Sequence, residues 1–237
     1  MPQQDARVFS HLATRRAIGL LGMALPIVLY IYARQTGAGM QPSISDFYNT
    51  AFGDYLVGSL VAAGFFLISY KGYARLPGER LSDRWVATLA GLGAIGVALF
   101  PTTPAPLKSC TGTGALGSGY IPQGFTFHWE HMQYLHFGSA LLFFICLAIF
   151  CLRLFPKTPD GQVDYKRDEH PIYLACGIAI VVSIVALIPT GFVSCAVTAD
   201  LNALNYVFWV ETLAVFAFGI SWLVKGKAIA GVLSLLK

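Results

Sequence analysis

A chain of 237 residues with 56% hydrophobic and only 12% charged side chains cannot clothe a soluble globule, which carries about 25% charged residues. The formal net charge of +4 comes without a basic patch interleaved with aromatics, which argues against a nucleic-acid footprint. With a mean hydropathy of +0.63, this is the alphabet of a protein dissolved in a bilayer.

Apolar runs approaching the ~20 residues needed to span recur six times, at residues 18–33, 55–70, 85–100, 135–152, 172–193 and 204–224. All should be helical, because lipid leaves an open strand edge without hydrogen-bond partners. The expected fold is therefore an all-α, polytopic six-helix transmembrane bundle in a single domain. The first run follows Arg15 and Arg16. It is long for a signal-peptide core and lacks an A-x-A site, so it reads as a retained span. Pro26 should kink it.

The stretch SISDFYNTAFGD, residues 43–54, reads as a short interfacial helix capped by Ser43 or Ser45 before the second run. The third run, ATLAGLGAIGVALF, spaces Ala87 and Gly91, and Ala90, Ala94 and Ala98, four residues apart. That spacing lets backbones approach in lipid and predicts the central packing helix, which Pro101 ends. The glycine-rich SCTGTGALGSGYIPQG at 109–124 lacks the lysine of a phosphate loop and reads as a flexible connection. In the fifth run Pro189, like Pro26 in the first, should kink or locally open its helix. Trp85 and Trp222 at one boundary, and Trp129, Tyr206 and Trp209 at the other, suit interfacial belts.

Positive charge orients the bundle. Arg7, Arg15 and Arg16, then Lys71, Arg75, Arg80 and Arg84, then Arg153, Lys157, Lys166 and Arg167, and finally Lys225, Lys227 and Lys237 share one side, leaving Arg34 and Lys108 on the other. Both termini are expected in the cytoplasm, with the long loops facing the periplasm or exterior of a bacterial inner membrane. Cys146, Cys151 and Cys176 lie in apolar runs and act as small hydrophobes. Cys110 and Cys195 fall in outward loops, where a disulfide between them is expected.

Ionisable groups enter lipid at the outer end only. In FHWEHMQYLHFGS, residues 127–139, His128, Glu130 and His131 read as interfacial, whereas His136 lies about one turn inside. Glu211 lies about six residues deep, or ~9 Å, and Asp54 opens the second span. A lone carboxylate in the bilayer costs about 3 kcal/mol on insertion scales, so such groups face a bundle interior and find partners. Asp54, His136 and Glu211 are expected to share a polar pocket, with Ser139 one turn from His136 and Asp46 and Ser43 at the rim. Two chemistries fit that set. His136, Asp54 and Glu211 can act as zinc ligands or base with an open position for water. Alternatively they form a hydrogen-bonded network that carries protons, contacts a headgroup or locks helices. No H-E-x-x-H or paired C-x-x-C selects the metal.

The stretches SISDFYNTAFGDYLVGSL, GAIGVALFPT, LHFGSALLFF and ETLAVFAFGISWLVKG together resemble an uncharacterised bacterial family of small polytopic membrane proteins, a domain of unknown function. A remoter resemblance is to the CREST superfamily of alkaline ceramidases and adiponectin-receptor-like proteins, which implies a zinc-dependent lipid amidase. That superfamily has seven helices and an H-x-x-x-H pair in the last. Here the sixth run has no histidine, and Glu211 would stand in place of an imidazole. The expected role is non-enzymatic binding, transport or service as an accessory subunit, with the lipid bilayer and a lipid-like ligand as partners. The alternative is a zinc-dependent, amidase-like hydrolase taking a lipid-like substrate from the outer leaflet.

Overall fold

The computed structural model describes residues 2–37, 39–73, 79, 81–102, 129–158 and 166–228. Among these the architecture is all-helical: α1 Pro2–Gln35, α2 Gly53–Ser69, α3 Asp83–Leu99, α4 Trp129–Ile149, α5 His170–Leu187, α6 Cys195–Ala203 and α7 Tyr206–Lys225. Segments Leu12–Gln35, Met132–Leu154, His170–Gly191 and Tyr206–Lys225 are long and apolar enough to cross a membrane, and Gly53–Ser69 is a shorter apolar helix. Pro26 is accommodated inside α1, whereas at Pro189 the helix tightens into the 3-10 turn Ile188–Gly191. Pro101 lies just beyond the end of α3.

The six longer helices close into a ring. Each packs on two neighbours, in the order α1, α2, α3, α4, α5, α7 and back to α1. Short connections explain the pairing of α2 with α3, but the closure of α1 on α7 joins the two ends of the chain. Glycine makes both contacts tight. A Cβ at Gly91 of α3 would stand 2.6 Å from the Gly64 carbonyl of α2, and one at Gly19 of α1 would stand 2.8 Å from the Gly219 carbonyl of α7. Ala87, Ala90, Ala94 and Ala98 are buried as well, so α3 is the small-residue packing helix that its spacing predicts.

Two apolar clusters fill the ring. One holds Tyr70, Phe143, Phe150, Phe155, Tyr173, Phe218 and Trp222, and the other is built around Leu29, Phe47, Leu56, Leu60 and Phe208. Trp222 corrects an expectation. It is 0% exposed and packs against Tyr70, Phe150 and Phe155, whereas Trp85 is 68% exposed. Composition alone does not tell a belt tryptophan from a core tryptophan, because both sit near a helix end. The Cys110–Cys195 bridge also finds no support. Cys110 lies outside the described residues, Cys146, Cys151 and Cys176 are free, and no described pair of cysteines is joined.

Candidate functional site

The segment between α1 and α2 folds into a 3-10 turn, Ser45–Asn49. In a 3-10 turn residues three apart eclipse. Ile44 and Phe47 therefore point together into the apolar cluster, while Ser43 and Asp46 face one another to the side. Ser43 Oγ donates to Asp46 Oδ2 at 2.8 Å and accepts the Asp46 N–H at 3.0 Å. This reciprocal local bond steadies the turn. Its cap position is Ile44, with no side-chain cap hydrogen bond, so neither Ser43 nor Ser45 is the cap that the sequence leads one to expect.

Three elements of the ring then seize this turn. Thr102, just past α3, donates its hydroxyl to Asp46 Oδ1 at 3.2 Å. His136 on α4 places Nδ1 2.6 Å from the Phe100 carbonyl and Nε2 3.1 Å from Ser45 Oγ. A carbonyl only accepts, so the proton sits on Nδ1, and in the neutral imidazole Nε2 accepts from the Ser45 hydroxyl. Glu211 on α7 accepts the Ile44 N–H at 2.7 Å through Oε2, within the range of a charge-assisted bond. The Phe208 N–H reaches Pro42 O at 2.8 Å, a second tie from α7. Asp46 and His136 are buried, at 2% and 4% exposure.

Asp46, His136 and Glu211 are thus brought together, through adjacent residues of one turn. Asp54 is not among them: its side chain is exposed at the start of α2, where a carboxylate suits the helix dipole. Its charge, after burial, contributes to holding the Tyr48 phenol above its ordinary range. Ser139 shares the His136 face, but its Oγ sits where a side chain on Gly96 of α3 would stand, so it is a helix-packing residue. His128 lies outside the described residues. Among the described residues no three His, Cys, Asp or Glu side chains stand together as metal ligands. Ser45 and Thr102 complete the network. The sequence offered only a capping role for the first and no signal for the second, since a hydroxyl just past a helix end has no periodicity.

The opposite end of the ring holds a second polar cluster. Lys225, 7% exposed, donates Nζ to the Phe155 carbonyl at 2.7 Å and lies 5.2–5.8 Å from the ring centroids of Tyr73, Phe155 and Tyr173. This is cation–π geometry. Arg15 donates to Tyr70 Oη at 3.1 Å and to the Lys225 carbonyl at 3.4 Å, and Arg16 Nε donates to the Gly226 carbonyl at 2.9 Å. Cations from α1 thereby cap the carbonyl end of α7, where the helix dipole is negative. Asp83 accepts the Tyr73 N–H at 3.1 Å. Sequence reasoning used these lysines and arginines for orientation alone and missed the burial of Lys225.

No curated protein and no solved structure matches the chain significantly. A family model described as a protein of unknown function, DUF998, matches residues 17–201, which takes in the Ser43–Asp46 turn, Thr102 and His136 but stops short of Glu211 and Lys225. That match spans most of the chain: the chain belongs to the DUF998 family of proteins of unknown function.

Proposed function

We propose that the chain is a non-enzymatic membrane module, a binding protein or accessory subunit of six spans. Its Lys- and Arg-rich ends and loops lie in the cytoplasm, and its outward end is closed by the Ser43–Asn49 turn. With 17 residues each, α2 and α3 reach the lower limit of about 17–25 residues for a span. Their place in a ring with four longer helices supports counting them as crossings. The Lys225 end then faces the cytoplasm and the Asp46 end the periplasm or exterior, in a bacterial inner membrane.

The observation that carries the functional reading is the convergence of Thr102, His136 and Glu211 on three consecutive residues, Asp46, Ser45 and Ile44. Their bonds hold a plug in place. Hydrolysis by zinc would instead need three ligands around an open position. A turn built this way has exposed neighbours, Ala51 and Asp54, to meet a polar solute or lipid headgroup, and its release would open the outer end of the ring.

The test is made on protein purified without chelators. Elemental analysis is expected to find no stoichiometric zinc, and amide lipids are expected to remain uncleaved. Lipids or solutes that bind are expected to slow hydrogen exchange in residues 43–50. Stoichiometric zinc that disappears in His136→Ala, together with lipid amide hydrolysis, would overturn the reading. Impermeant-thiol labelling tests the topology: in a Cys110→Ser, Cys195→Ser background a cysteine replacing Lys227 should react only after the cells are permeabilised, and labelling of intact cells would reverse the orientation.

A further inference from the structure

α4 does not end as a regular helix. Its last residues, Phe150–Leu154, form a wide π turn in which the Phe155 N–H reaches the Phe150 carbonyl at 2.8 Å. Wide turns of this kind frequently mark functional positions. Beside it, Gly177 lets α5 lie directly on Leu152 and Cys151. Further along α5, Val181 and Val185 line one side of a gap between the two helices. The gap is an open furrow of about 350 Å³.

The furrow floor and walls are apolar, with Ile145, Ile149 and Leu152 on one side and Val181 and Val185 on the other, and Arg153 stands at one end. Ile145, Val181 and Val185 are exposed on the outside of the ring, where the bilayer lies. Neighbouring cations of this end are paired, Lys157 with Glu79 at 2.7 Å and Arg167 with Glu169 at 3.4 Å. Arg153 is exposed and forms no ion pair among the described residues.

We propose that this furrow binds an anionic phospholipid, with one acyl chain along Ile145, Ile149, Val181 and Val185 and the headgroup phosphate on Arg153. Three arguments support that occupant. An apolar furrow facing lipid gains dispersion contacts from a flexible chain that follows its shape, and water cannot satisfy it. Arg153, exposed and without an ion pair among the described residues, adds a positive charge at the membrane boundary, worth about 1 kcal/mol towards a lipid of net negative charge over a zwitterionic one. The volume lies at the lower end of the about 300–1,000 Å³ of ligand sites. Two turns of a partner helix about 10 Å across would by comparison fill about 800 Å³. The site is separate from the Asp46 network and independent of the role proposed for it.

Native mass spectrometry tests the assignment. Wild type, Arg153→Gln and Val181→Phe are taken from nanodiscs of equal phosphatidylglycerol and phosphatidylcholine with identical acyl chains. Wild type is expected to retain phosphatidylglycerol about fivefold over phosphatidylcholine, the preference one interfacial arginine supplies. Arg153→Gln should abolish the preference while still retaining lipid, and Val181→Phe should reduce retention of both lipids. Val185→Trp, at the most exposed wall position, is a second furrow-filling variant should Val181→Phe fold poorly. Equal retention of the two lipids by wild type would mean ordinary boundary lipid only and would overturn the proposal. A preference that survives Arg153→Gln, or retention unchanged by both furrow-filling variants, would do the same.

Discussion

His136 and Glu211 grip neighbouring residues of one short turn from two different helices, α4 and α7, so their removal should be strongly non-additive. His136→Ala leaves the Phe100 carbonyl and the Ser45 hydroxyl without these partners. At about 1–3 kcal/mol for each buried group so exposed, the turn loses on the order of 3 kcal/mol. Glu211→Ala removes a bond to the Ile44 N–H that is worth about 1.5–3 kcal/mol for a charged acceptor.

Hydrogen exchange of the turn's bonded amides, Phe47 and Thr50, reads these losses directly. At about 1.4 kcal/mol per tenfold, protection should fall on the order of a hundredfold in His136→Ala and about tenfold in Glu211→Ala. Independent clamps would then give on the order of a thousandfold in the double variant. Ser45 and Ile44 are adjacent, however, and once one clamp is gone the turn already opens, so the double variant should fall short of that product by at least about fivefold, a coupling of the size found between contacting residues. Arg16→Ala, at the far end, should combine additively with His136→Ala, to within about 0.5 kcal/mol. Full additivity of His136→Ala and Glu211→Ala would refute a shared plug.

Gly91→Leu should lower the melting temperature in detergent, because the Cβ alone would lie 2.6 Å from both the Gly64 carbonyl and Ile68 Cγ1; overpacking of this kind costs about 1–3 kcal/mol, and an unchanged melting point would mean that α2 and α3 are further apart. Arg15→Ala should cost about 1–3 kcal/mol through the Tyr70 hydroxyl and the α7 carbonyl it serves, and denaturant unfolding in mixed micelles should show a larger loss than for the exposed Arg16→Ala. Burial raises the Asp83 carboxyl above its ordinary range, against the lowering effect of the Tyr73 N–H, Lys225, Lys157 and Arg15. Its contribution to stability is therefore fully present below the unfolded-state pKa and is lost as pH rises through the folded-state value. Stability of the wild type relative to Asp83→Asn should fall as pH rises from about 4, and parallel pH profiles would reject that linkage.

How much of this was legible in advance varied by position. The helices at the six apolar runs were, because in hydrocarbon a chain can satisfy its amides only within the helix. So was the packing role of α3, since its alanines and glycines carry the spacing themselves. Asp46 was legible only as a rim residue, whereas His136 and Glu211 stood out as polar groups that lipid does not tolerate singly. Asp54 carried the same signal, and yet it points outward at a helix start, where water and the helix dipole suit it. Trp222 and Lys225 looked like boundary residues and are interior ones.

The sequence by itself determined that the chain is helical and membrane-embedded, and which residues are too polar to face acyl chains. Tertiary structure alone decided that α1 closes on α7, that a short turn and its cap residue Ile44 gather three distant side chains, and that a furrow opens between α4 and α5. The reason lies in the solvent. Lipid and protein core are about equally apolar, so a spanning helix shows little in its sequence pattern of which face meets a neighbour and which meets the bilayer.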